Sequence, residues 1–592
     1  MIASYLWRIG LVGLALALAG CGKASPPSRP TGHPLPPSAL AAQCEPGKTG
    51  GRFVMAAATS PKTFNPLVAA DAASDGVIRL LNASLISLNQ VSQEPGPGLA
   101  ESWSVAADQK TWTLKLRQGV RWSDGQPLTA EDVLFTWNEL MYNPELNRNT
   151  FDLFHIGGKR FEVSAVDPFT VRVVTPEVYA PFLEFFGGMP ILPKHALERA
   201  LAEKRFAAAY GIHTPAQNIV GAGPYRLREV QAGKYTLLER NPEYWVADKQ
   251  GTRLPYFDEV MVQVGGGPGT EAVLFLNGKS DVYEAVRPED LDQFKQASAG
   301  GRFGIVELGV GAERDFLWFN QNTGTNHAGK PIVDPIKLRW FRNKQFRQAI
   351  ACAIDRQRMV SQLYHDRAQP IYGFISGENQ RWNNPNIPQF GFDPARARAL
   401  LAQIGLLDRE GNGVLKDAEG TPVGILLVSN TGNPAREKAA LMIAEALKKV
   451  GVKLIYQGMS FNALLERINK TFDYECALMG LGGGGGDPAA QRNVLKSSEE
   501  LHQWFPFQET PATEWEARID QLMDAQMRTL DFSLRKKDFD EVQSILAEEM
   551  PMIYTVSPFC YAAIRSDVGN VRASVLTPYR VTWNIEELYF KK

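Results

Sequence analysis

The sequence is poor in cysteine and histidine and has no excess of charge of either sign. Each scarcity removes a class of function. Five cysteines among 592 residues cannot form a disulfide-stapled scaffold. Lys and Arg number 63 against 64 Asp and Glu, a net charge of -1, which argues against nucleic-acid binding. The seven histidines (His33, His155, His195, His213, His327, His365, His502) include no i, i+4 pair, so the sequence offers no local metal site. Motifs for phosphate loops, dinucleotide binding, HExxH, CxxC and the GxSxG elbow are missing. Gly278, Lys279 and Ser280 mimic the end of a phosphate loop, but Val273 stands where its first glycine belongs. No enzyme class therefore has a positive signal, and no cofactor is expected. Gly (52) and Pro (38) are only slightly enriched, and 44% apolar residues suit a globular chain of several domains.

Long apolar runs are also missing. The longest, Ile9 to Gly20, has twelve uncharged residues after Arg8, too few for a spanning helix of about 20. It reads as a signal-peptide core. The following Leu18, Ala19, Gly20 and Cys21 resemble a bacterial lipobox, so Met1–Gly20 is expected to be removed and Cys21 lipidated. From Gly22 to Gly51, Pro26, Pro27, Pro30, Pro34, Pro36, Pro37 and Pro46 lie among small residues. Residues 21–51 are read as a proline-rich tether that buries no core. Cys44 lies in that stretch. Cys352, Cys476 and Cys560 have apolar neighbours and are read as buried free thiols.

Beyond the tether, periodicity alternates between strand and helix. Thr111 to Trp122, Phe169 to Thr175, Tyr225 to Val230 and Val452 to Gln457 read as strands. Ala130 to Tyr142 reads as a helix capped by Thr129, with Val133, Leu134, Trp137 and Leu140 near one face. Phe346 to Tyr364 and Asn433 to Gly451 read as further helices. The fold class is α/β.

Several long strings then match one family in order. They are SPKTFNPL (Ser60 to Leu67), GLAESWSVAADQKTWTLKLRQGVRWSDGQPLTAEDVLFTWN (Gly98 to Asn138), VGAGPYRLREVQAGKYTLLERNPEYW (Val220 to Trp245), FRQAIACAIDRQRMV (Phe346 to Val360) and FDPARARALLAQIGL (Phe392 to Leu406). On these the chain resembles the family 5 extracellular solute-binding proteins, receptors of peptide- and nickel-type ABC importers. The resemblance implies a two-lobed periplasmic-binding-protein-like fold of the cluster C type, with a hinge and an extra domain inserted in the first lobe. The base domain would take residues 52–85, 216–313 and 557–592, the inserted domain 86–215, and the second lobe 314–556. It further implies a monomer on the outer side of a membrane, held by its lipid, that delivers a peptide or peptide-like solute to a permease and ATPase complex. The same scaffold serves oligosaccharide and nickel-chelate receptors, and a periplasmic peptide-binding chaperone or signalling receptor is a further alternative.

Peptide binders of this family carry an aromatic and an aspartate in a second-lobe segment that ends in proline. Aligned on Asp487 and Pro488, this chain has Leu481 and Gly484 at those two places, within the run Gly482 to Gly486. Asp487 is the nearest substitute charge, and the glycines allow close backbone approach to a ligand. Trp318, Asn320, Asn322, Trp382, Asn383, His502 and Trp504 complete the candidate ligand set. Asp408, Glu410, Asn412 and Glu419 nearly match a calcium loop, with Glu410 departing from the pattern. A structural calcium and a plain polar hairpin turn both remain open, and the turn is preferred.

Overall fold

A computed structural model describes residues 32–146, 151–267, 269–481, 486–576 and 579–592. The signal segment 1–20, Cys21 and most of the glycine run lie outside the described residues. The architecture is mixed α/β. One four-stranded antiparallel sheet holds Ala100–Val105, Thr111–Leu116, Thr170–Val174 and Glu162–Asp167 in that order. A second joins Tyr225–Gln231, Tyr235–Arg240, Glu259–Val264 and Arg52–Ala57, the last pair parallel. In a third, Val556–Arg565 lies between Val282–Val286 and Phe303–Val310. A five-stranded mixed sheet takes Lys453–Met459, Gly424–Asn430, Cys476–Leu481, Arg314–Phe319 and Met552–Tyr554.

The buried apolar residues divide cleanly. Two core clusters draw every buried member from Phe316 to Val556. The other three draw none from that span. The chain passes between these bodies from Val310 to Arg314 and again from Tyr554 to Val556. The two passes are cross-linked, because Gly311 N–H donates to Pro558 O (3.1 Å) and Thr555 N–H to Asp315 O (3.0 Å). The Ser557 hydroxyl donates to Gly311 O (3.2 Å) and Glu313 O (2.8 Å). Two lobes joined by two short segments are built for hinge rotation that leaves the buried members of each core in place.

Local signals account for most elements. Ala130–Leu134 is helical and continues as a wider π turn over Phe135–Met141. Asp132 accepts the Thr129 N–H at 3.0 Å, closing the first turn. Asn433 caps Pro434–Lys448 by accepting the Arg436 N–H at 3.1 Å. The single helix expected over Phe346 to Tyr364 is instead two, Lys344–Ala353 and Arg356–Tyr364. Asp355 breaks it by accepting the Arg358 N–H at 2.9 Å, starting a new helix where the old one could have continued.

The expected tether also needs correction. From residue 32 the proline-rich stretch is docked on the first lobe. Leu40–Ala41 forms a parallel pair with Val246–Ala247, and Arg117 reaches Ser38 O at 2.6 Å. His33 Nδ1 lies 3.0 Å from Glu243 Oε1. Ala42 and Cys44 are buried, and burial pushes the Cys44 thiol up to about 11. Proline tolerates an edge position, and the residues between the prolines supply the donors and apolar surface that proline lacks. Cys44, Cys352, Cys476 and Cys560 are all free and buried.

The GAGPY segment shows why a motif of this kind is rigid. Gly223 N–H donates to Leu81 O (2.9 Å), at the end of the helix Ala72–Leu81. A Cβ on Gly221 would stand 1.9 Å from that same carbonyl oxygen. Gly221→Ala should therefore destabilise the first lobe by about 3 kcal/mol, the cost of forcing apart packed backbone. An unchanged urea midpoint would refute this packing account.

Candidate functional site

Most of the expected ligand residues are structural parts of the second lobe. Trp318 is fully buried, and its Nε1 donates to the Tyr474 hydroxyl at 3.1 Å. Asn320 Nδ2 donates to Phe472 O and Tyr474 O, both at 2.9 Å, while its Oδ1 accepts the Asn322 N–H at 3.1 Å. Asn322 Oδ1 accepts the Gly324 N–H at 2.8 Å. Trp504 Nε1 donates to Glu516 Oε1 at 2.9 Å, and the buried His502 lies 3.2 Å from the same oxygen. Burial opposes charge on Glu516, yet hydrogen bonds from His502, Gln508 and Thr513 hold its carboxyl down at about 2. Trp382 packs on Phe532 and Phe539, with the Arg535 guanidinium 5.0 Å from its ring centre. Asn383 is exposed.

Asp487 is 5% exposed, and its two carboxylate oxygens lie 2.7 and 2.6 Å from Arg535 Nη2. It also caps the turn that follows by accepting the Ala489 N–H at 3.0 Å. A carboxylate so compensated inside its own lobe has little charge left to offer a ligand. The calcium-loop candidates likewise hold their own loop. Asp408 accepts from Asn412 N–H (3.1 Å) and Gly413 N–H (2.8 Å), and Glu410 pairs with Asn412 and Lys416. Glu419 lies 3.5 Å from Arg339. Among the described residues no group of three His, Cys, Asp or Glu is placed to hold a metal.

The place where both lobes converge is a different one. Gln93 Nε2, from the first lobe, donates to Glu378 O at 2.5 Å, and Arg381 returns a bond to Gln93 O at 2.8 Å. Farther along the seam, Ala180 N–H donates to Met527 O at 2.9 Å, and Arg528 pairs with Glu177 at 3.1 Å. Between these contacts Glu184 Oε1 accepts the Asp487 N–H at 2.9 Å. Gly486 makes that approach possible. Its φ is +86°, and a Cβ there would lie 2.2 Å from Glu184 Oε1. Gly486 thus lets an opposing carboxylate of the chain itself meet the backbone, where the sequence reading expects a ligand.

Several seam groups are buried without full partnership. Glu378 is 2% exposed, and its Oε2 has no hydrogen-bond partner among the described residues. The same holds for Gln93 Oε1, Ser376 Oγ and the Tyr179 hydroxyl. Burial raises the Glu378 carboxyl to about 7, against the pull of Arg314 and Arg580. Burial and then the Asp487 charge raise Glu184 to about 7 as well. A cavity of about 280 Å³ lies in the seam, lined by His155, Tyr179 and Phe185 on one side and Ala489, Arg492 and Lys496 on the other. Of these groups Tyr179 lines that cavity, and an underpartnered hydroxyl at a void between two lobes suits the capture of a polar solute. None of these residues was legible in the sequence, except through the glycine that faces Glu184.

Comparison with known proteins agrees with this geometry. The model of the bacterial extracellular solute-binding proteins, family 5, matches residues 94–502. The chain belongs to that family. Its members bind solutes and are not enzymes. A probable ABC transporter-binding protein of Deinococcus radiodurans is 28% identical over 536 residues, covering 86% of each chain. The oligopeptide-binding protein AppA of Bacillus subtilis, solved with a nonapeptide, superposes with a TM-score of 0.66 at 24% identity, covering 92% of this chain and 100% of that one. The substrate-binding protein CtaP of Listeria monocytogenes gives a TM-score of 0.73 at 22% identity, with the same coverage. These neighbours share the two-lobed α/β fold. In this solute-binding chain no described helix is long and apolar enough to cross a membrane.

Glu184 makes the seam sensitive to pH. Burial, and then the charge of Asp487 from the other lobe, raise its carboxyl from the ordinary 4.5 to about 7 in this structure. A raised carboxyl favours the closed form fully below the open-state value, and that contribution disappears as pH rises through the closed-state value. The closed fraction should therefore fall between about pH 5 and pH 8, seen as a larger radius of gyration in small-angle scattering. Glu184→Gln keeps the acceptor oxygen and should weaken the dependence. An equal dependence in both proteins would rule Glu184 out as its source.

Proposed function

We propose that this chain is the substrate-binding protein of an ABC importer, which captures a peptide or peptide-like solute between its lobes and delivers it to a membrane permease and its ATPase. The observation that carries this reading is the seam itself. Two cores with separate buried members meet there through polar contacts and the packing of Met527 and Leu530 on the first lobe, and buried oxygens on both sides lack partners. Peptides present alternating donors and acceptors along their backbone, which suits such walls. The family and the ABC-transporter relatives support the transport role. The nonapeptide held by the similarly folded AppA supports the ligand class.

We place residues 52–85, 216–313 and 557–592 in the base domain, 86–215 in the inserted domain and 314–556 in the second lobe. The lobe division at 314 and 556 agrees with the segregation of the cores. The body acts as a monomer on the outer side of a membrane, anchored through a lipidated Cys21. With the segment from residue 32 docked on the first lobe, only a short span separates that anchor from the body.

A thermal-shift screen across peptides, glycans and nickel chelates tests the ligand class. A peptide at about 100 times its Kd should stabilise the closed form by about 2.7 kcal/mol. A shift with glycans or chelates and none with peptides would overturn the peptide reading. Cys21→Ser should release the protein from membranes into the soluble fraction. Retention of the variant there would overturn the lipid anchor.

A further inference from the structure

The seam cavity of about 280 Å³ has a chemistry of its own. Its apolar wall comes from Leu153, Ile156 and Phe185 of the first lobe and Met527 of the second. Tyr179 is 2% exposed, and its hydroxyl has no partner among the described residues. Three cations line the space, Arg492, Lys496 and Arg528, against two carboxylates, Glu177 and Asp524. Both carboxylates are already paired, Glu177 with Arg528 at 3.1 Å and Asp524 with Lys496 at 2.7 Å. The partner of Arg492, Glu499 at 2.9 Å, is not part of the lining. The wall therefore presents an apolar bed, a buried donor and three paired cations, of which Arg492, 44% exposed, is held by Glu499 only through a weak surface bridge that a ligand carboxylate can replace.

We propose that this cavity is a subsite for an organic carboxylate with an apolar body. The body lies against Phe185 and Met527, and the carboxylate accepts from the Tyr179 hydroxyl and faces Arg492. Several features fit this ligand. An unpartnered buried hydroxyl is costly, and an anionic acceptor relieves that cost more fully than a neutral one. The volume sits at the low end for ligand pockets, so it takes one end of a solute or a small acid. Because both lobes line it, its occupant gains its full contacts only in the closed form and so favours closure. The proposal deepens the receptor reading of the seam and rests on it for the larger solute. The carboxylate has two sources, the C-terminus of a peptide or a free acid.

The probes are 4-methylpentanoate and 3-phenylpropanoate, each paired with its primary amide, and peptides of one sequence with free or amidated C-termini. Binding to the intact chain is measured by calorimetry and by melting temperature, for the wild type, Tyr179→Phe and Arg492→Gln. Both acids should bind at least about tenfold more tightly than their amides, and Tyr179→Phe should remove about tenfold for the acids alone. Arg492→Gln should weaken the acids and spare the amides. Preference for the free peptide C-terminus over the amidated one identifies the peptide as the source, and binding of the small acids alone identifies a free acid. Equal binding of acids and amides, or acid binding unchanged in Tyr179→Phe, overturns the subsite. If peptides still raise the melting temperature in that case, the receptor reading stands without it. If the acids bind as expected while no peptide does, the subsite stands and the peptide reading falls.

Discussion

Everything functional in this protein depends on its two lobes being joined by only two strands. The passes at 310–314 and 554–556 are tied to each other by backbone bonds and by the Ser557 hydroxyl, so they bend as one unit. The buried members of each apolar core come from one lobe alone, with Met527 and Leu530 of the second lobe packed against the core of the first. Each fully buried side chain in those cores is worth about 1.5–3 kcal/mol, whereas each polar contact across the seam is worth about 0.5–1.5 kcal/mol. The lobes are therefore far more stable than their closure. A solute supplying a few good hydrogen bonds can decide whether the protein is open or closed.

The charges of the second lobe follow from the same separation. Asp487 and Arg535 neutralise each other within that lobe, and Glu516 gathers His502, Trp504 and Gln508 around one carboxylate. Those groups hold the lobe together and leave the seam to others. Across it, Glu184 meets a backbone N–H rather than a cation. That contact depends on the missing side chain at Gly486.

Periodicity and capping made most strands and helices legible, because they depend on neighbours a few residues apart. Phe346 to Tyr364 reads as one continuous helix because Asp355 can sit inside a helix or cap a new one, and its local sequence does not choose. The proline-rich segment was read as free because composition reports what a stretch cannot do alone. Its docking depends on Val246 and Ala247, far along the chain. The aromatic and amide residues proposed for the cleft were chosen by residue type, and tryptophan or asparagine serves equally well in a core once its polar atoms find partners.

By itself the sequence determined the α/β class and the family, since long ordered motifs and local conformational rules carry that information. Only the tertiary structure decided which residues face one another across the seam. Glu184 and Asp487 are 303 positions apart, and Gln93 and Glu378 are 285 apart. Nothing in either neighbourhood marks such a pair. Their meeting is a product of two separately folded bodies brought together, and the candidate ligand site exists only where those bodies touch.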